Sequence, residues 1–172
     1  MVHKEVKNLA LMALFTALVV IGSRIYVGTH DTFRFHLGNS MCLLAALMLA
    51  PTSAGLSAGL GSMIFDILFY PPSLGPIGYL ITFITKFVMA YVASLVFYKI
   101  KNAVIAGTIG EIAYIILYAL KTYLECRLVQ LLTVQATMLK LYPKLGASVV
   151  NAVAAVIVSS VLYQMLKLYK PN

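Results

Sequence analysis

Residues 34–66, RFHLGNSMCLLAALMLAPTSAGLSAGLGSMIFD, decide the fold. Two apolar runs meet at Pro51, with polar side chains toward their far ends: Asn39 just inside the first run and Asp66 near the end of the second. Proline cannot continue a helix interior without losing a hydrogen bond, so one helix ends at Pro51 and another follows it. The turn between them brings Asn39 and Asp66 to one side of whatever layer the runs cross. The remaining chain supplies more apolar runs, and most of their isolated polar residues fall at that same side.

Of the 172 residues, 62% are apolar and 10% charged, and mean hydropathy is +0.95. A water-soluble domain of that composition would be left with a large exposed apolar surface. A hydrocarbon layer roughly 30 Å thick takes about 20 residues per helix, so the chain allows about six crossings with short connections. The period-2 alternation of a spanning barrel is absent. The expected fold is an all-α membrane protein, six transmembrane helices in one compact bundle and one domain, with helices near 6–27, 37–49, 54–70, 79–98, 103–120 and 145–168. The second is short for a span, which predicts a steep helix or one that starts below the surface.

Segment 28–36, with Asp31 and Arg34, reads as a mobile interfacial connection, and Pro71, Pro72, Gly75, Pro76 and Gly78 as a loop. Segment 121–144 reads as the longest connection, an amphipathic piece lying on the bundle or in the interface. The N-terminus imitates a signal peptide, but no small-x-small cleavage site precedes Arg24, so a retained first helix is expected. The net charge of +8 is scattered over helix ends and loops and forms no basic stripe, which points to anionic lipid headgroups and away from nucleic acid. Positive charges near helix ends tie between the two sides. Their placement in short flanks at 4–7, 99–101 and 167–170 puts both termini in the cytoplasm. Cys42 and Cys126 match no metal spacing and read as small apolar fillers, with no disulfide.

Asp66, Lys86, Glu111 and Asn151 sit well inside apolar runs. An intramembrane charge costs about 2.5–3.5 kcal/mol on insertion scales, so such groups face the bundle interior and find partners. Asp66 precedes Pro71 and Lys86 follows Tyr79, which at about 1.5 Å per residue places them roughly 8 Å and 10 Å below one loop, a depth suited to pairing. Asn39 and Asn151 enter the same outer-half region from two other helices, and Glu111, nearer the middle of its helix, would form the floor of a cavity. The competing reading is structural: Asp66 and Lys86 lock two helices, and each Asn satisfies backbone. Convergence of a few polar groups among apolar walls also suits a small polar ligand. Tyr70, Tyr79, Tyr114, Tyr118 and Tyr123 are candidates either for stacking on a flat heterocycle or for the interfacial aromatic belt. His36 is a candidate ligand contact or an interface residue.

Small residues mark close helix approach, as in Gly55-x-x-x-Gly59 with Ala58, Gly61 and Ser62, and in Ala13-x-x-x-Ala17. No nucleotide-binding loop, HExxH, GxSxG or serine or cysteine with a spaced base is present, so neither catalytic residues, a metal, a cofactor nor an energy source is expected. Inverted repeats are not apparent.

The pattern Leu37-Gly38-Asn39, then Pro51-x-x-x-Gly55-x-x-x-Gly59-x-Gly61-Ser62 with Asp66, then Thr82-x-x-x-Lys86, with six short helices and the Ala13, Ala17 pair, resembles the membrane-embedded S component of energy-coupling factor (ECF) vitamin transporters. The resemblance covers nearly the whole chain and is closest to the branch containing riboflavin, hydroxymethylpyrimidine and pyridoxine carriers. It implies a multi-pass protein of the bacterial plasma membrane that captures a small vitamin or precursor on the outer side. Its partners would be a transmembrane coupling protein and two ATPase subunits, whose ATP hydrolysis would topple the S component. Ala13 and Ala17 would provide the face for the coupling protein, and 28–36 the lid, with Asp31 and Arg34 in the gating loop. Substrate contacts would fall among Asn39, Asp66, Lys86, Glu111, Asn151, His36 and Tyr70. A substrate resembling hydroxymethylpyrimidine or pyridoxine is preferred because Trp is absent and few aromatics suit a large tricyclic ligand; riboflavin and pantothenate remain open. The alternatives are a stand-alone secondary transporter, a membrane enzyme acting on lipid through Asp66, Glu111 and His36, and a purely structural subunit.

Overall fold

The computed structural model describes residues 2–29, 33–71 and 74–168. The helices are α1 (Val2–Arg24), α2 (Gly38–Met48), α3 (Pro51–Phe69), α4 (Pro76–Ile100), α5 (Ala103–Leu124) and α6 (Val134–Leu168). A two-stranded antiparallel hairpin, β1 (Tyr26–Thr29) and β2 (Phe33–His36), stands between α1 and α2.

The first run of the opening stretch becomes the centre of the bundle. Its 11 residues of helix rise only about 17 Å, well short of a hydrocarbon layer of roughly 30 Å. Apart from Met41 and the terminal Met48, every residue of α2 is buried, and the helix touches α1, α3, α4, α5 and α6. A helix apolar on all sides is a core helix, and this one is enclosed by its neighbours. Among the described residues, five helices are long and apolar enough to cross a membrane: α1 from Glu5, α3, α4, α5 continued to Val129, and α6. Six equivalent spans thus become five long helices around a short central one.

Pro51 stands at the first turn of α3, where its missing N–H would have no intrahelical partner. The glycines of α3 then admit two neighbours. A Cβ on Gly55 or Gly59 would lie 2.8 Å from the ring of Phe87 or Phe83, respectively, on α4. On the other side, a Cβ on Gly61 would lie 2.7 Å from the carbonyl oxygen of Thr16 on α1. Phe83, Phe87 and Tyr91, four residues apart, form one aromatic ladder along α4 with centroids 6.0 and 5.7 Å apart, and its first two rings fill the glycine groove. Polar closures finish the core: Ser94 Oγ donates to the carbonyl of Leu49 just after α2 (3.0 Å), and Ser57 Oγ to that of Met12 (3.1 Å).

Three connections depart from expectation. The connection over 28–36 carries strand pairing at its two ends, which the sequence reading did not anticipate: Tyr26 pairs with His36, Val27 with Phe35, Gly28 with Arg34 and Thr29 with Phe33. Asp31 lies outside the described residues. Pro76 and Gly78 belong to the first turn of α4, not to the preceding loop. Segment 121–144 is largely helical: α5 runs on to Leu124, a π-helical turn follows over Glu125–Val129, and α6 begins at Val134. Pro143 lies inside α6. It is exposed, as is Leu139 one turn earlier, whose carbonyl loses its helical partner there.

Candidate functional site

Each buried polar residue sits on the inward stripe of its helix. On α4 that stripe is Lys86, Met89, Ala90, Ala93 and Phe97, and on α5 it includes Ala106, Gly107, Gly110 and Glu111. Gly110 lets the two stripes close, since a Cβ there would lie 2.7 Å from that of Ala93. Asn39 opens the central helix between them.

These three helices join in one polar chain. Lys86 Nζ donates to Asn39 Oδ1 at 2.6 Å, and Asn39 Nδ2 donates to Glu111 Oε2 at 3.2 Å. Asn39 and Glu111 are each 1% exposed and Lys86 7%. The Lys86 ammonium also stands 3.5 Å from the centroid of the Tyr114 ring, which stacks on Tyr118 at 5.7 Å. The amide of Asn39 is therefore read in both senses, its carbonyl by the cation and its N–H by the carboxylate. Among the described residues, Glu111 Oε1 is buried without a hydrogen-bond partner. A buried acceptor left unmatched costs on the order of 1–3 kcal/mol, more for a charged group, so an incoming donor at Oε1 would be stabilising.

Asp66 is half-buried near the end of α3. Its charge acts on Lys86 through space, while the hydrogen bond described for that ammonium goes to Asn39. Tyr70, also half-buried, follows α3. His36 and Asn151 meet at a different place, the base of the hairpin: the His36 N–H donates to Asn151 Oδ1 at 3.1 Å, and the Gly38 N–H to His36 Nδ1 at 3.1 Å. Arg34 contributes backbone to β2 opposite Gly28. Cys42 and Cys126 are both buried free thiols. Cys42 lies one turn beyond Asn39 on α2, with Sγ 3.9 Å from Ser62 Oγ.

Tyr114, which the sequence left between stacking on a heterocycle and the interfacial belt, instead faces the Lys86 ammonium, a contact that the sequence reading did not name. Its position three residues after Glu111 on the inward stripe was the available signal. Among the described residues, no group of three His, Cys, Asp or Glu is placed to hold a metal ion. On the far side of α1, Ala13 and Ala17 are exposed. They line an apolar groove whose opposite wall is Leu60 and Ile64 of α3.

Long helices with apolar outer faces around a buried charged cluster define a polytopic membrane protein. The chain belongs to the family of ECF-type riboflavin transporter S components, whose family model matches residues 3–168. It is therefore a membrane-embedded, substrate-binding subunit for vitamin uptake, and S components are transporter subunits, not enzymes. A solved S component of a bacterial ECF transporter superposes with a TM-score of 0.73 at 16% identity, over 96% of this chain and 98% of that one, a likeness of fold. No curated protein matches the chain.

Proposed function

We propose that this chain captures a small, flat, water-soluble vitamin or precursor at the Asn39–Lys86–Glu111 cluster, as the S component of an ATP-driven importer in a bacterial plasma membrane. The observation that carries the reading is the buried chain itself, which ends in an unmatched carboxylate oxygen. A ligand that offers a donor to Glu111 and an acceptor near Lys86 completes it. Tyr114 and Tyr118 supply aromatic surface beside it, with Asp66 and Tyr70 toward one end of α3. Hydroxymethylpyrimidine- and pyridoxine-like rings satisfy that pattern, and the family's name adds riboflavin as a substrate to test at once.

A transmembrane coupling protein would seat on the groove holding Ala13 and Ala17, and two ATPases would supply the energy, with both termini of the S component in the cytoplasm. Native mass spectrometry of the purified protein should reveal a co-purifying heterocycle. Titration with riboflavin, pyridoxine and hydroxymethylpyrimidine should then show tight binding of one of them, weakened at least tenfold by Glu111→Gln. Affinity for that ligand unchanged in the folded variant would remove Glu111 from the site.

A further inference from the structure

Four cations lie between positions 121 and 144. Arg127 and Lys140 are occupied at the junction of α5 and α6, where Arg127 Nη1 donates to the Leu132 carbonyl and Lys140 Nζ to Gln130 Oε1. Lys121 and Lys144 have no such use. Both are half-buried, and among the described residues neither ammonium makes a hydrogen bond or an ion pair. A cation drawn out of water is stabilised only by an opposite charge or by acceptors around it, so the two lysines are left wanting an anion.

Their places along the helices say where that anion would sit. Glu111, Tyr114, Tyr118 and Lys121 follow one another on α5 at intervals of three, four and three residues, which is one face of a helix. Tyr114 carries the Lys86 ammonium on its ring and stacks on Tyr118, and Lys121 stands two turns, about 10 Å, beyond it. On α6, which packs against α5, Lys144 stands seven residues before Asn151, the side chain that meets the hairpin base. The charges acting on Lys121 come from Glu125 on its own helix, then from Asp66 on α3, Lys144 on α6 and Lys86 on α4. Lys121 is thus turned toward the polar chain and toward Lys144. Glu125 and Asp66 each hold an interaction of their own. The inner face of α5 reads, in order, a carboxylate, two aromatic rings and a cation, with a second cation opposite on α6.

We propose that Lys121 and Lys144 form a cationic station at the hairpin end of the site, which takes an acidic group of the substrate, a carboxylate or a phosphate monoester, and selects the anionic form of the vitamin over the neutral one. The proposal rests on the binding site proposed above and extends it by two helical turns. The ring lies beside Tyr114 and Tyr118, a donor meets Glu111 Oε1, and the acid meets the two ammonium groups, compact point charges that accept either kind of anion.

The test is calorimetric titration of the full chain in phosphatidylcholine nanodiscs with two pairs of probes, riboflavin and its phosphate monoester, and pyridoxine and its phosphate monoester. In the pair that binds, Lys121→Met and Lys144→Met should each weaken the phosphorylated member about tenfold and its neutral partner less than about twofold, the loss expected of one charge-assisted hydrogen bond. Lys121→Arg keeps the cation and should stay within about threefold of wild type for both members. Added salt should weaken the phosphorylated member alone. Comparing two members on one sample separates a lost contact from a lost fold: equal weakening of both would assign the lysines to packing and overturn the proposal. Phosphate affinity unchanged in either Met variant would remove that lysine, and binding of the neutral members alone to wild type would overturn the station while leaving the site. Should phosphatidylglycerol in the discs abolish the dependence on both lysines, they serve lipid headgroups and the proposal fails. A failed site would show differently, as Glu111→Gln leaving affinity intact while the lysine variants still discriminate within a pair. Failure of every probe to bind wild type would overturn both.

Discussion

Replacing Lys86 by methionine keeps an unbranched side chain of similar length and removes the ammonium from the centre of the bundle. Three consequences can be sized. The 2.6 Å bond to Asn39 Oδ1 disappears, worth about 1.5–3 kcal/mol for a charged donor. The contact with the Tyr114 ring at 3.5 Å is lost, worth about 0.5–2 kcal/mol. Glu111, 1% exposed, is left without its cation, and breaking a buried ionic arrangement at one end costs about 3–5 kcal/mol in all, a total that already includes part of the first two. At about 1.4 kcal/mol per decade, the folded-to-unfolded ratio should fall more than a hundredfold. Glu111→Gln alone should cost less, since an amide still offers an oxygen to Asn39 Nδ2. The double variant removes both charges together, so its loss should fall short of the sum of the singles by about 1–3 kcal/mol, the coupling expected within one network. Reversible denaturation in detergent micelles, followed by circular dichroism, measures all three. Additive losses would show that Lys86 and Glu111 do not share a network and would refute the connected site.

Ala13→Trp and Ala17→Trp should abolish co-purification with the coupling protein while leaving ligand affinity within about twofold, because both positions are exposed on the outer side of α1 and dispersion contacts require close approach. Pull-down and ligand titration on the same samples check this, and normal assembly of both variants would assign the alanines to ordinary lipid contact. Gly59→Val forces a branched side chain where even a Cβ would lie 2.8 Å from the Phe83 ring and 2.9 Å from its carbonyl oxygen. It should destabilise by about 1–3 kcal/mol, read from the denaturation midpoint. Reconstituted alone in liposomes, the protein should bind substrate without concentrating it; concentrative uptake would favour an independent secondary transporter.

Much of the fold was legible because insertion into lipid imposes one dominant pattern, long apolar runs broken by proline, glycine and charge. The departures fall where that pattern is diluted. Between 121 and 144 the charges of Lys121, Glu125, Arg127, Lys140 and Lys144, with Pro143, read as a connection. In the structure α5, the π-helical turn and α6 occupy almost all of it. Arg127 Nη1 donates to the Leu132 carbonyl (2.6 Å), Lys140 Nζ to Gln130 Oε1 (3.0 Å) and the Ala136 N–H to Thr133 Oγ1 (3.3 Å). Those polar side chains secure the junction of two helices, a use that composition alone does not distinguish from a loop. The hairpin was hidden for another reason: its pairing depends on register between two four-residue strands, and so short an alternation carries little signal.

The site shows the difference between depth and direction. Counting residues from a loop places Asp66 and Lys86 at similar levels, yet a helix turns through a full circle every 3.6 residues, so equal depth says nothing of which neighbour a side chain faces. Direction was set by α2. If a helix of 11 residues is treated as one more peripheral span, Asn39 belongs to the outer wall. Once it is central, Asn39 stands between α4 and α5, within reach of residues on both. The shortness that disqualifies α2 as an ordinary crossing is what leaves room beyond its N-terminus for the hairpin base, and the chain enters the helix through His36, Leu37 and Gly38 directly before Asn39. A longer second helix would carry the polar chain to the same depth but bury it under another turn of backbone. The short one instead places Asn39 at the helix start, with its side chain bonded to Lys86 and Glu111 and its backbone joined through Gly38 and Leu37 to the hairpin.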